Sequence, residues 1–293
     1  MIISNTQVGT KLLCDKQHDF RFMRAGHGYE PKKLPPAIYR GILGHSALEQ
    51  YYFTLKEGFG VGVASSAAQQ VLDTEISRLA AETPGEFETV GLILQLKNLV
   101  ELYAQAYREE TFKVLEVEKD FRTSVDENIE YALKLDLLVE MTSGEFRGDL
   151  VVVDHKFVYN FKTPLDIEMD AQLPKYIHVL KQNGYTVSKG MFNQIRTRSL
   201  KNPTQADLFR REWIKPTKSE INQIWFEQKE AAYQIHRDQD YSNTPIRNMS
   251  LLVCRSCMFQ QPCKAELNGD DVTQMLKANY QKSTYGYTEL GEE

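Results

Sequence analysis

The chain has 293 residues, 42% of them hydrophobic and 26% charged, with a formal net charge of -5. That length can bury a sizeable core, and that charge excludes a uniformly basic nucleic-acid binder while leaving room for a local basic groove. No stretch has the long apolar run of a signal peptide or membrane span, so the expectation is a soluble cytoplasmic protein with no membrane partner.

Residues 4–23 carry a helical spacing in Val8, Leu12, Leu13 and Phe20, with Cys14 in the middle and Phe20 and Phe22 as an aromatic exit. After Pro31, Pro35 and Pro36, the positions Ile42, Leu43, Ala47, Leu48 and Tyr51 predict one face of a helix. His45 follows Gly41 at i+4 on that helix, which leaves open space beside the imidazole. A lone helical histidine is commonly structural, and a metal role for it requires partners. Residues 63–110 read as two helices separated by Pro84-Gly85, best marked by Leu92, Ile93, Leu96, Leu99, Val100, Tyr103 and Tyr107. We expect residues 60–110 to be a helical insertion whose apolar stripe is core.

Residues 113–121 have strand character, and a β-hairpin follows. Leu133, Leu135, Leu137 and Val139 alternate before a Ser143-Gly144 turn signal, and a β-branched run follows from Leu150 to Val153. Asp136 and Asp154 pair directly if the hairpin is centred beside that Ser-Gly. Lys156, two residues on, then shares a face with Asp154, so two acids and a lysine can converge. That set suits metal-assisted phosphodiester cleavage, whereas an isolated D-x-K is more often a solvated edge or ion pair. Glu118, on the preceding strand, is expected to be ordinary strand exposure, with support of a second metal as the alternative. Pro164 ends the outgoing strand, and residues 167–183 predict a helix with Gln172 and Tyr176 at i, i+4 and Gly184 as its stop. Further strands are expected at 189–195 and 208–214, and a helix at 219–237, with Trp213 and Trp225 as packing residues. Between Arg196 and Lys218 lies the one basic stretch; Arg196, Arg198, Lys201, Arg210 and Arg211 fit either a nucleic-acid path or a solvated face.

Near the C-terminus Cys254, Cys257 and Cys263 are spaced C-x2-C-x5-C, and Cys14 is the one remaining cysteine. In a cytosolic protein these read as metal ligands or free thiols rather than disulfides. Four thiolates accept an iron-sulfur cluster or structural zinc. The uneven spacing, with one ligand far upstream, favours the cluster over the paired knuckles of zinc ribbons. Either would join the N-terminal helix to the C-terminal segment 254–263 as a staple.

In chain order these features are Cys14, G-x-x-x-H as Gly41 to His45, Asp136, D-x-K as Asp154 to Lys156, Q-x-x-x-Y as Gln172 to Tyr176, and the three C-terminal cysteines. Together they resemble the PD-(D/E)XK nuclease superfamily, in particular the RecB-like branch that includes the AddB nucleases and the CRISPR-associated iron-sulfur exonucleases. The resemblance covers residues 12–263. It implies a single α/β domain over 1–293, with a restriction-endonuclease-like central mixed sheet flanked by helices. It further implies that His45, Asp136, Asp154 and the main-chain carbonyl of His155 bind Mn2+ or Mg2+. Lys156 would orient or activate water and stabilise negative charge, Gln172 and Tyr176 would position the lysine or the DNA, and Cys14, Cys254, Cys257 and Cys263 would hold a 4Fe-4S cluster. The implied function is a metal-dependent DNA exonuclease acting on single-stranded ends in recombination, repair or DNA processing, alongside a separate helicase or recombination protein. The alternative is a nuclease-fold accessory subunit that holds DNA ends and cuts little. Two positions depart from the family pattern: Lys134 replaces a frequent glycine two before the motif acid, and Phe157 replaces a frequent Thr or Ser after the lysine.

Overall fold

A computed structural model describes residues 1–83, 85, 87–239 and 244–283. The chain opens with β1 (Ile2–Ser4), α1 (Asn5–Leu13), α2 (Asp15–His18) and β2 (Tyr29–Pro31), then three longer helices, α3 (Pro36–Lys56), α4 (Val61–Glu82) and α5 (Phe87–Ala106). Strands β3 (Phe112–Ser124), β4 (Glu130–Met141) and β5 (Leu150–Val158) follow, then α6 (Pro164–Glu168), α7 (Gln172–Gln182), β6 (Val187–Arg196), α8 (Gln205–Leu208) and β7 (Phe209–Ile214). The last elements are α9 (Lys218–Asp238), α10 (Leu251–Arg255), α11 (Gln260–Leu267), α12 (Thr273–Asn279) and β8 (Tyr280–Lys282). No helix among the described residues is long and apolar enough to cross a membrane. Two compact units result: Met1–Pro35 with Arg122–Leu133 and Trp225–Glu293, and Pro36–Phe121 with Lys134–Ile224.

The second unit is built on a mixed sheet flanked by helices. β4 and β5 are antiparallel, β5 and β6 parallel, and β6 and β7 antiparallel. The parallel step needs a crossover, which α6 and α7 supply. One face of the sheet offers Leu137, Val139, Val151, Val153, Met191 and Ile195 to a core shared with Leu48, Tyr51, Ile93, Leu96 and Tyr103 of α3 and α5. The helices over residues 63–110 therefore form as expected and their stripe is core; Pro84 of the expected break lies outside the described residues. The other face carries α7, which packs tightly at Gly190, where a Cβ would meet the Leu173 side chain at 3.0 Å.

In the first unit the helix expected over 4–23 is broken. β1 pairs in parallel with the start of β4, and Ser4 caps α1 reciprocally with Gln7, its Oγ accepting from the Gln7 amide. Cys14 is extended (φ -163°, ψ 115°) between α1 and α2, which takes Leu12 and Leu13 out of the stripe into solvent. The helix expected over 167–183 is likewise two, because Pro164 begins α6 at a Thr163 cap rather than merely ending the strand. The first unit's terminal segments meet through aromatic stacking and ion pairs. Phe20 stacks on Phe259 at 5.4 Å, and Phe259 on Tyr280 at 5.4 Å. Around them Glu266 accepts ion pairs from Lys16 (2.8 Å), Arg24 (2.5 Å) and Arg247 (2.6 Å). β2 and β8 close this region as an antiparallel pair.

Two glycines of α3 make opposite expectations. A Cβ on Gly44 would fall 2.4 Å from the ring of Phe157 on β5, whereas one on Gly41 would meet nothing within 4 Å. Gly44→Ala should therefore cost about 2 kcal/mol through overpacking, and Gly41→Ala should be neutral or stabilise by up to about 1 kcal/mol. Urea melts of the two variants check this; a Gly44→Ala variant as stable as Gly41→Ala would contradict the close approach of α3 to β5.

Candidate active site

The antiparallel register of β4 and β5 runs from Glu140↔Leu150 to Leu137↔Val153. Its next step would set Asp136 opposite Asp154, as the alternation of the hairpin predicts, although the connection is an eight-residue loop with Gly144 and Gly148 at positive φ rather than a tight turn. At that step the carboxylate of Asp136 takes over from the main chain, its Oδ2 accepting the amide of His155 at 2.6 Å. The site grows around this point. Asp154, 1% exposed, is bound on both oxygens: Gln172 donates to Oδ1 at 2.7 Å, and the Lys156 ammonium pairs with Oδ2 at 2.7 Å. Lys156 also donates to Gln172 Oε1 at 2.5 Å, and the Gln172 amide reaches the Tyr176 hydroxyl at 2.8 Å. Gln172 can do this because it is the first residue of α7, whose i, i+4 spacing brings Tyr176 over it.

On the other side of Asp136 stands α3. His45 Nδ1 lies 3.4 Å from Asp136 Oδ2, and ligand atoms of His45, Glu118 and Asp136 all lie within 4.8 Å of one another, the spacing of donors around one cation. Of the expected metal ligands, His45 and Asp136 thus come together. Asp154, expected as a third ligand, is not in that trio; its carboxylate is engaged by Lys156 and Gln172, and the residue after it, His155, lends its amide to Asp136. Glu118 was expected to be an ordinary exposed strand residue, and the structure corrects that. Its side chain is 17% exposed, and its backbone is left-handed (φ 44°), a conformation costly for any residue with a Cβ. The alternation of buried and exposed residues in β3 holds from Phe112 to Val114 and is lost from Leu115 to Lys119. No period-2 reading of the sequence could therefore have aimed Glu118 at the site.

The electrostatics follow from burying acids together. Burial and then repulsion from Asp136 push the Glu118 carboxyl up to about 7. Burial pushes Asp154 up to about 6 with Asp136 adding to it, although the Lys156 charge pulls the other way. Asp136 resists its own burial and is held below the ordinary carboxylate value by the hydrogen bond and charge of His45. Burial works against a charged His45 and a charged Lys156, yet the carboxylates outweigh it and hold both above their ordinary values. Burial drives His155 down to about 3, so its ring is neutral, stacked on Tyr52 at 5.3 Å. Sequence reading missed Lys175, buried on α7 and pushed down to about 8 by burial, with Lys156 adding to the fall and Asp170 opposing it.

The basic residues separate. Arg211 is turned inward, bound to Glu110 at 2.7 Å and to the Tyr52 and Tyr103 hydroxyls at 3.3 and 3.2 Å, so its charge serves the interior. Arg196 and Arg210 stand over the ring of Phe161, Arg198 stands over Tyr159, and Lys201 is exposed.

Within the first unit, Cys14, Cys254, Cys257 and Cys263 all line one cavity of about 800 Å3. Cys14 accepts the Asn248 amide at 3.4 Å and Cys257 that of Phe259 at 3.4 Å. Burial pushes the Cys257 thiol up, and the other three cysteines act on it in the same direction. Among the described residues the trio of His45, Glu118 and Asp136 is the only group of three ligand atoms drawn within 4.8 Å.

Glu118 and Asp154 are acids whose folded values lie above their unfolded ones. The stability their protonation supplies is therefore complete below about pH 4 and is lost as pH rises through about 6 and 7. A divalent cation held by these carboxylates replaces the protons. Mn2+ should accordingly raise the Tm, relative to EDTA, more at about pH 8 than at about pH 5.5; an equal or reversed effect would remove the carboxylates as metal ligands.

No protein-family model and no curated protein matches the chain. Among solved structures it is similar to a candidate exonuclease from Eubacterium rectale, at 13% identity and a TM-score of 0.48, covering 87% of this chain and 88% of that one. It is also similar to the protein designated SSO0001, at 14% identity and a TM-score of 0.33, covering 65% of this chain and 80% of that one.

Proposed function

We propose that the chain is a divalent-metal-dependent deoxyribonuclease of the PD-(D/E)XK type, acting as an exonuclease on single-stranded DNA ends in recombination, repair or end processing. The observation that carries this reading is the meeting of two groups at the point where β4 and β5 part. One is the donor trio of His45, Glu118 and Asp136; the other is the Asp154–Lys156–Gln172 hydrogen-bonded set. Two carboxylates with an imidazole suit a hard or borderline cation, Mn2+ somewhat better than an all-oxygen site would, with Mg2+ also accommodated. Asp154 and the His155 carbonyl complete the proposed ligand set. When bound, the cation supplies Lewis acidity toward a phosphoryl oxygen and acidifies water.

The chain's own residues do the rest. Lys156 is held charged by Asp154, so its role is to stabilise negative charge developing on the phosphate rather than to accept a proton. Gln172 bridges Asp154 and Lys156 and so fixes both side chains in one geometry, with Tyr176 bracing Gln172 in turn. His155 stays neutral and lends only its main chain. Cys14, Cys254, Cys257 and Cys263 are proposed to hold a 4Fe-4S cluster: the four thiols line one cavity, and their uneven spacing along the chain supports a cluster over a single zinc ion.

End-labelled single- and double-stranded DNA incubated with Mn2+ or Mg2+ tests the activity, its polarity and its strand preference together. Asp154→Ala and Lys156→Ala should each reduce cleavage at least a thousandfold while leaving the melting curve cooperative; wild-type-like cutting by both would remove the site assignment. Anaerobically purified protein should be brown, with stoichiometric iron and acid-labile sulfide, and Cys254→Ser should lose the colour. A colourless protein carrying one zinc would replace the cluster with a structural zinc site.

A further inference from the structure

The basic stretch splits according to which face of the sheet each residue joins. Lys156 is in register with Gln194 on β6, and Gln194 with Arg210 on β7. Residues directly opposite share a face and successive residues alternate, so Arg210 lies on the face of Asp154 and Lys156. Arg196, two residues beyond Gln194, joins them. Arg211 is in register with Asn193 and falls on the opposite face, which explains its interior partners. From strand spacing and rise, the Arg196 Cα is about 8 Å from that of Lys156, and the Arg210 Cα about 10 Å.

The guanidinium carbons of Arg196 and Arg210 stand 4.0 and 4.5 Å from the centre of the same ring, Phe161. Phe161 is presented by the segment after β5, which folds back across this face because the Lys162 amide donates to Gln194 Oε1 at 2.8 Å. Stacking fixes the plane of each guanidinium and leaves its N–H edge for an acceptor, the arrangement that suits phosphate. Two acids offset part of the charge of the pair: Glu212 comes to 3.7 Å of Arg210, and Asp207, its carboxylate bound by the amide and hydroxyl of Thr204, feels Arg196. Lys162 on the same segment is neutralised by Asp170. Farther out, Tyr159 is 63% exposed with Arg198 over its ring at 5.6 Å, a surface on which a base can stack.

We infer that Arg196 and Arg210, held on Phe161, form a phosphate subsite that grips a single-stranded DNA backbone next to the phosphodiester presented to Asp154 and Lys156. The inference rests on the nuclease reading and names the part of the substrate that the metal centre does not touch. Two stacked arginines one and two strands away from the lysine would hold the neighbouring phosphate in register, and Tyr159 would take a base of the same strand.

The test is fluorescence anisotropy of the full chain with a labelled single-stranded oligodeoxynucleotide in EDTA, over a series of salt concentrations. Arg196→Gln and Arg210→Gln should each weaken binding several-fold and flatten the log–log salt dependence by about 0.7 per charge removed. Phe161→Leu should weaken binding with the slope unchanged, and Arg78→Gln on α4 should alter neither. An Arg196→Gln/Arg210→Gln double variant that melts like wild type and keeps its Kd and slope overturns the subsite. Wild-type protein that binds no DNA overturns subsite and nuclease reading together. Wild-type protein that binds DNA yet cuts with neither metal overturns the nuclease reading alone, and the salt slope of the variants then decides the subsite by itself.

Discussion

The hydrogen bond from the His155 amide to the Asp136 carboxylate is the constraint on which the second unit's site depends. A strand pair that continued its ladder past Leu137↔Val153 would spend this amide on a main-chain carbonyl and carry the two aspartates out side by side. By accepting it, Asp136 ends the ladder, stays buried with a partner, and is anchored where α3 can reach it. Buried carboxylates are tolerated only when hydrogen-bonded or paired, and each of the two aspartates meets that condition differently. Asp136 has a main-chain donor and His45; Asp154 has Gln172 and Lys156. In each set one partner, His155 or Lys156, comes from β5 itself and the other, His45 or Gln172, from α3 or α7, so the position of β5 between α3 and α7 decides whether the groups meet.

That position is held by a polar network on the α3 face. Asn193 donates to the Tyr103 hydroxyl at 2.7 Å and lies 2.8 Å from His155 Nδ1. Tyr103 shares a hydrogen bond with Tyr52, Tyr52 donates to Glu110 at 2.8 Å, and Arg211 closes the circuit on all three. A network of this kind gains strength from the low dielectric around it and loses heavily if one member is removed, because the remaining charge is stranded. It therefore specifies one orientation for the His155 ring, while the pairing of β5 with β6 sets the direction of the amide that Asp136 uses. Phe157 belongs to the same fixation. Where a small hydroxyl residue is frequent in the family the sequence resembles, a phenyl ring here fills the space that Gly44 leaves open on α3, and its ring tilts against His45 at 5.8 Å. The departure at Phe157 and the glycine at Gly44 compensate each other.

The hairpin, its register and the Gln172–Tyr176 helix were legible in the sequence because each is a local pattern: alternation in β4 and β5, and an i, i+4 pair in α7. The long helices α3, α4, α5 and α9 were legible for the same reason. What sequence periodicity could not carry is whatever depends on a break in regularity. Cys14 interrupts a helix whose hydrophobic spacing reads straight through it, so Leu12 and Leu13, counted in that spacing, stand in solvent. Arg211 looks like its neighbours Arg196, Arg198 and Arg210 as a charge, and only the strand parity set by β6 and β7 sends it inward. The short elements β1, β2 and β8, which have three residues each, pair through main-chain bonds that leave almost no side-chain signature.

Glu118 shows why the least legible residue can matter most to a site. A left-handed residue with a side chain costs on the order of 1–3 kcal/mol and persists only where its surroundings over-determine it. In this chain the strained residue also carries a carboxylate that Asp136 repels, so strain and electrostatic cost fall on the same position. Repulsion between the buried carboxylates of Glu118 and Asp136, beside a histidine whose pKa those acids raise, is what the proposed cation would relieve. The free energy released by that relief is available to hold the ion, so the repulsion at Glu118 and the proposed metal affinity are two sides of one balance.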